Sequence, residues 1–221
     1  MNNQDSDGLF DNDWDERSEL SWTEVDWTRY LAEQDETVRQ YLVHYEQLTG
    51  TTDRIDETAR RMGWELSETE AGEISTPEEE ATEADAFEGN WEPYTLHRNP
   101  VYISTQALTL SLLAAWERTV GASGAVPAPL ALAVQASLYR GHNQALQAIQ
   151  ALDLGDYTLA LCFFKRALQQ LNITLAQLSQ PSAADATTLT RFREFALPRL
   201  FDLREIWLRV MNECRSTEGE E

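Results

Sequence analysis

Residues 128–178 read APLALAVQASLYRGHNQALQAIQALDLGDYTLALCFFKRALQQLNITLAQL. Leu130, Val134, Leu138, Ala145 and Ile149 recur at helical spacing, and Tyr157, Ala160, Leu161, Phe164, Leu168, Leu171 and Leu175 do the same. Between the two sets lies only Asp153-Leu154-Gly155. A break that short returns the second helix antiparallel along the first. Gly141, inside the first helix, costs about 1 kcal/mol relative to Ala.

Outward from this hairpin the same pattern repeats. Asn99-Pro100 joins an N-cap to a proline at the first helical position and predicts a helix over 99–120, with Ile103, Leu108, Leu112, Ala115 and Trp116 turned inward. Residues 121–127, rich in small side chains, form a turn. After Pro181, the Ser182/Asp185 spacing starts a last helix to about residue 214 through Leu189, Phe192, Leu200, Leu203, Ile206, Trp207 and Val210. Pro198 is expected to kink or split it near Ala196. No segment longer than a few residues alternates with period two. The fold class is therefore all-α: an antiparallel helical bundle of about four long helices over 99–215, with two N-terminal helices and acidic disordered segments.

Those N-terminal elements carry the charge. Residues 1–100 hold 27 Asp/Glu against 7 Arg, while residues 101–221 hold 11 Asp/Glu against 10 Arg/Lys. Residues 1–19 read as an acidic disordered arm. Residues 20–64 read as an amphipathic helix over 21–48 and a short one over 52–62. A Ser21/Glu24 capping box and a Leu20/Val25 staple start the first. Its inward stripe is Trp27, Leu31, Val38, Tyr41, Leu42, Tyr45 and Leu48, and Gly50 stops it. In the second, Ile55, Ala59 and Met62 share a face, and Gly63 stops it. Residues 65–98 read as an acidic linker and 216–221 as an acidic tail.

Residues 154–168 resemble the second half of a tetratricopeptide unit at Gly155, Tyr157, Ala160, Phe164 and Ala167. The preceding helix has Gln147 and Ala148 where that family usually has Leu and Gly. No second copy follows at its period of about 34 residues, so an ordinary helical hairpin is the better account. Residues 55–64 are similar to the first helix and turn of a DNA-binding helix-turn-helix. The recognition helix would then be residues 67–74, which carry three Glu and no Arg or Lys. A phosphate backbone repels such a segment, which argues against direct nucleic-acid binding.

Catalytic chemistry finds little support. The residues three before His44, His97 and His142 are tyrosines, so the Glu-x-x-His step of a bundle diiron site is missing. No phosphate loop, nucleophile elbow or Cys–His pair is present. Neither a cofactor nor a metal is expected. Cys162 and Cys214 read as buried free thiols, the absence of a long apolar run argues against a membrane span, and a cytoplasmic setting is the default.

The expected function is a non-enzymatic interaction or adaptor protein. Its acidic, aromatic-bearing N-terminal region would engage a protein partner with a basic surface. Leu9, Phe10 and Trp14 lie among acids in the arm, and Trp27 and Leu31 lie on the helix; these five are the candidate partner-binding residues. One alternative is an acidic mimic occupying a basic nucleic-acid site on a partner. Another is an enzyme with a cleft in the bundle around His142, Arg140 and Glu117.

Overall fold

In a computed structural model, the structure describes residues 22–64, 95–121, 126–179 and 186–218. By compactness the chain divides into two units, residues 1–36 and 37–221. Six α-helices account for most of the described residues: α1 (Glu24–Gln47), α2 (Arg54–Arg61), α3 (Pro100–Gly121), α4 (Ala128–Asp153), α5 (Tyr157–Ser179) and α6 (Ala186–Glu218). No strand occurs among them.

The bundle is a ring of four. α3 packs on α4, α4 on α5, α5 on α6, and α6 closes back onto α3. The helix directions follow from which residues meet. A Cβ on Gly141 would touch Gln170 and Ala167, while Ser137 bonds Thr174, so α4 and α5 run antiparallel. Trp116 meets Phe192 while Trp207 meets Thr105, so α3 and α6 do as well.

Short side chains set the tightest of these contacts. Gly141, Ala145, Ala148, Ala151, Ala160 and Ala167 are all buried, and they let the α4 and α5 backbones approach closely. Two indoles then pin α3 to both neighbours. Trp116 Nε1 donates to the Ala131 carbonyl of α4 at 3.1 Å, and Trp207 Nε1 of α6 donates to Thr105 Oγ1 at 3.1 Å. Each buried indole thus contributes a large apolar surface without stranding its N–H.

The expected helix ends are met where turn chemistry is strong. Asn99 Oδ1 accepts the Val101 N–H at 2.8 Å and starts α3. Gly50, Gly63 and Gly155 take the left-handed backbone after α1, α2 and α4, with φ of 89°, 75° and 75°. Asp156 Oδ1 accepts the Leu159 N–H at 2.9 Å and starts α5. The inward residues expected on α3 and α6 are all buried.

Several expectations need correction. The α1 cap is Thr23 with Asp26: the Thr23 N–H donates to Asp26 Oδ2 at 3.0 Å, and Asp26 N–H to Thr23 Oγ1 at 3.3 Å. Two overlapping pairs had the right spacing, and the one adjoining the helix caps it; Leu20 and Ser21 lie outside the described residues. Val25, Trp27 and Leu31 are exposed, so the expected inward stripe of α1 is carried by Tyr41, Tyr45 and Leu48, with Val38 and Leu42 part-buried against the core, while Tyr30 is buried in the first half of the helix. Tyr157 is also exposed, and so is Cys162, while Cys214 is buried as expected.

α6 runs unbroken through Pro198. The flanking turn is reinforced by Arg199, whose Nη1 donates to the Phe195 carbonyl at 2.7 Å. The same helix continues to Glu218, into what reads as tail. Residues 96–98, assigned to the linker, form a 3₁₀ turn packed on α3 and α4. The arm, residues 65–94 and the Ser182/Asp185 cap lie outside the described residues.

Gly141→Ala tests the α4–α5 contact. The added Cβ would meet Gln170 Cβ at 3.4 Å, an ordinary contact, so the helix-propensity gain should survive. Denaturant unfolding should show a stabilisation of about 0.5–1 kcal/mol; a loss of that size would mean the helices are closer than this geometry allows.

Candidate functional site

Three places hold chemistry beyond packing. The first is a polar clasp joining the α1–α2 hairpin to α6. Tyr45, fully buried near the end of α1, donates its hydroxyl to Asp202 Oδ2 at 2.5 Å. Arg199, only 4 % exposed, pairs with Glu46. Arg54 of α2 donates from Nε to the Tyr45 carbonyl at 2.8 Å, satisfying one of the four carbonyls a helix C-terminus leaves open. The guanidinium carbon of Arg54 lies 3.4 Å from the Tyr45 ring centroid and that of Arg199 5.6 Å, both within cation–π range.

Further out, Arg209 pairs with Asp56 and with Glu205, and those bonds raise its already high pKa further. Trp64 stacks on Tyr41 at 5.7 Å. Burial pushes the Tyr41 and Tyr45 hydroxyls well above the ordinary phenol range, and the bond to Asp202 adds to this for Tyr45. Both tyrosines are therefore neutral anchors, and the clasp is structural: the Tyr45 hydroxyl, Asp202, Arg54, Arg199 and Glu46 bond within it, while the buried Tyr41 hydroxyl contributes its ring and has no protein partner. Tyr45→Phe, which leaves the part-buried Asp202 carboxylate without its donor, should cost about 1–3 kcal/mol in chemical denaturation. An unchanged midpoint would show that the clasp contributes nothing net.

The second place is a cavity at the centre of the four-helix ring, lined by Thr109 of α3, Ser137 and His142 of α4, Thr174 of α5 and Trp207 of α6 among apolar neighbours. His142 is buried and its Nδ1 has no protein partner. Neither Arg140 nor Glu117, the residues expected to share a cleft with it, lines this cavity.

Burial pushes the His142 imidazole below its ordinary pKa. The unfolded chain, titrating near roughly 6.5, then binds the proton more readily than the native one. The stability His142 confers is full above about pH 6.5 and is lost as pH falls toward the depressed native value. Unfolding free energies of wild type and His142→Gln should therefore converge on acidification from about pH 7.5 to 5. A constant difference across that range would count against a neutral buried imidazole.

The third place is the first half of α1, within residues 1–36. Glu24, Trp27, Leu31 and Asp35 follow one another at steps of three and four residues, which sets them along one face of the helix. All four are exposed. Nearby, Trp22 packs on Trp27 and Tyr30 at ring-centroid distances of 4.9 and 5.4 Å. Residues 22–36 hold five acids and one Arg, a net charge of −4. The Thr23 hydroxyl and backbone N–H hold the Asp26 carboxyl below the usual carboxylate range, so the cap stays ionised.

Of the five partner-binding candidates, Trp27 and Leu31 are thus set side by side on this face. Leu9, Phe10 and Trp14 lie outside the described residues, as do residues 65–90, on which the mimic reading rests. No group of three or more His, Cys, Asp or Glu among the described residues is placed to hold a metal ion. No described helix is long and apolar enough to cross a membrane.

Compared with protein-family models, curated proteins and solved structures, the chain matches none.

The cavity is not among the sites the sequence marks by a motif. Its signal was a hydroxyl standing at an inward helical position: Thr109 beside Leu108, Ser137 between Val134 and Leu138, Thr174 between Leu171 and Leu178. The clasp was out of reach, because nothing local pairs Tyr45 with Asp202 across 157 residues.

Proposed function

We propose that this protein is a non-enzymatic interaction or adaptor protein that engages a partner through the acidic, aromatic-bearing first half of α1. One observation carries this reading: the exposed pair Trp27 and Leu31 is bracketed on the same face by the carboxylates of Glu24 and Asp35. A helix that anchors in a groove presents apolar side chains at such spacing. Carboxylates at both ends favour a groove whose rim bears Arg or Lys, and they speed encounter with it. Leu9, Phe10 and Trp14, among the acids upstream, would extend the same recognition. The bundle is then the scaffold. Its setting would be the cytoplasm, with which two free cysteines are compatible.

The test keeps the full chain. Wild type and the Trp27→Ala/Leu31→Ala double variant are used as bait in parallel, with circular dichroism to check that both are folded. Specific partners should be lost with the variant, since burying a tryptophan anchor contributes about 2 kcal/mol or more, roughly a 30-fold change in affinity. Glu24→Lys/Asp35→Lys should weaken capture mainly at low salt. Equal recovery of every captured protein by wild type and the double variant would overturn the reading.

A further inference from the structure

The polar layer at the centre of the bundle has accepting capacity left over. Ser137 Oγ lies 2.7 Å from Thr174 Oγ1, 3.0 Å from the Val134 carbonyl and 3.1 Å from Gln177 Oε1. Thr174 Oγ1 lies 3.1 Å from the Gln170 carbonyl. Each hydroxyl has one hydrogen to give and two lone pairs to fill. The Val134 and Gln170 carbonyls already take the helical N–H bonds of Leu138 and Thr174, so the two hydroxyls keep lone pairs able to accept a further hydrogen. Nearby, the buried Nδ1 of His142 has no protein partner. The indole N–H of Trp207 cannot help, because it is committed to Thr105.

Ser137, Thr174 and His142 line one cavity, whose volume is about 20 Å³. One water needs roughly 10–15 Å³ on the same measure, together with two to four polar partners. We infer that this cavity is a binding site for a single ordered water, held between His142 Nδ1 and the Ser137–Thr174 hydroxyl pair.

Chemistry narrows the occupant as much as size does. No carboxylate, lysine or arginine lines the cavity, so an ion entering it would be buried without a counter-charge. An apolar molecule of this volume would leave the ring nitrogen and the hydroxyl lone pairs as they are. A neutral molecule with two hydrogens to donate supplies the ring nitrogen and a hydroxyl lone pair at once. Its two anchors come from different helices, His142 and Ser137 from α4 and Thr174 from α5, so the water adds a polar rivet beside the small-residue contact.

The decisive measurement is a crystal structure of the full chain at a resolution that shows waters. An isolated density peak is expected inside the bundle, roughly 2.7–3.2 Å from His142 Nδ1 and in reach of the Ser137 or Thr174 hydroxyl. His142→Phe and Ser137→Ala should each lose the peak. A cavity without density in the wild type, or a His142 Nδ1 bonded to a protein atom, overturns the inference. The wild-type structure decides on its own, so a variant that fails to fold does not rescue the idea.

Discussion

The bundle depends on how closely α4 and α5 can approach. At Gly141 and the buried alanines of these helices no side chain larger than a methyl group stands between the two backbones. Close approach lets the Leu154-Gly155-Asp156 turn stay short, with Gly155 in the left-handed backbone that an L side chain resists. It also brings Ser137 against Thr174, so a polar pair of the core bridges α4 and α5 beside the cavity they line. α3 and α6 then complete the ring through larger side chains, with Trp116 and Trp207 bridging where alanines could not reach.

Against that scaffold, the hairpin of α1 and α2 is attached by a different kind of chemistry. Tyr41 and Tyr45 bury apolar rings, but the groups around them are charged: Arg54, Arg199, Glu46 and Asp202. Burying Arg199 is tolerable because its guanidinium reaches both Glu46 and the Phe195 carbonyl. The same arginine adds a bond in the turn beside Pro198, at the Phe195 carbonyl, one residue on from the Glu194 carbonyl that the proline leaves without its helical donor.

Local chemistry was legible and distant chemistry was not. Asn99-Pro100, Gly63 and Gly155 announced helix ends because caps and left-handed turns are decided by one or two residues. The inward faces of α3 and α6 were legible because burial follows a strict period. Trp27 and Leu31 continued the α1 stripe in the sequence yet are exposed, since periodicity says which residues share a face and not whether anything covers it. For the candidate site, the sequence named this pair and its acidic setting. It could not reveal the polar layer of the cavity, which takes four helices to assemble. The clasp on α6 was equally hidden, its partners lying 153 and 157 residues apart.

Those separations have a consequence for synthesis. The α1–α2 hairpin is made well before the clasp partners it finds on α6. A ribosome releases the chain at roughly 5–20 residues per second. With about 150 residues between the partners, the Tyr45 hydroxyl must wait on the order of 10 seconds for its acceptor, Asp202. Over that interval the hairpin has its own contacts, among them Trp64 stacked on Tyr41, and a surplus of carboxylates of the kind that favours solubility.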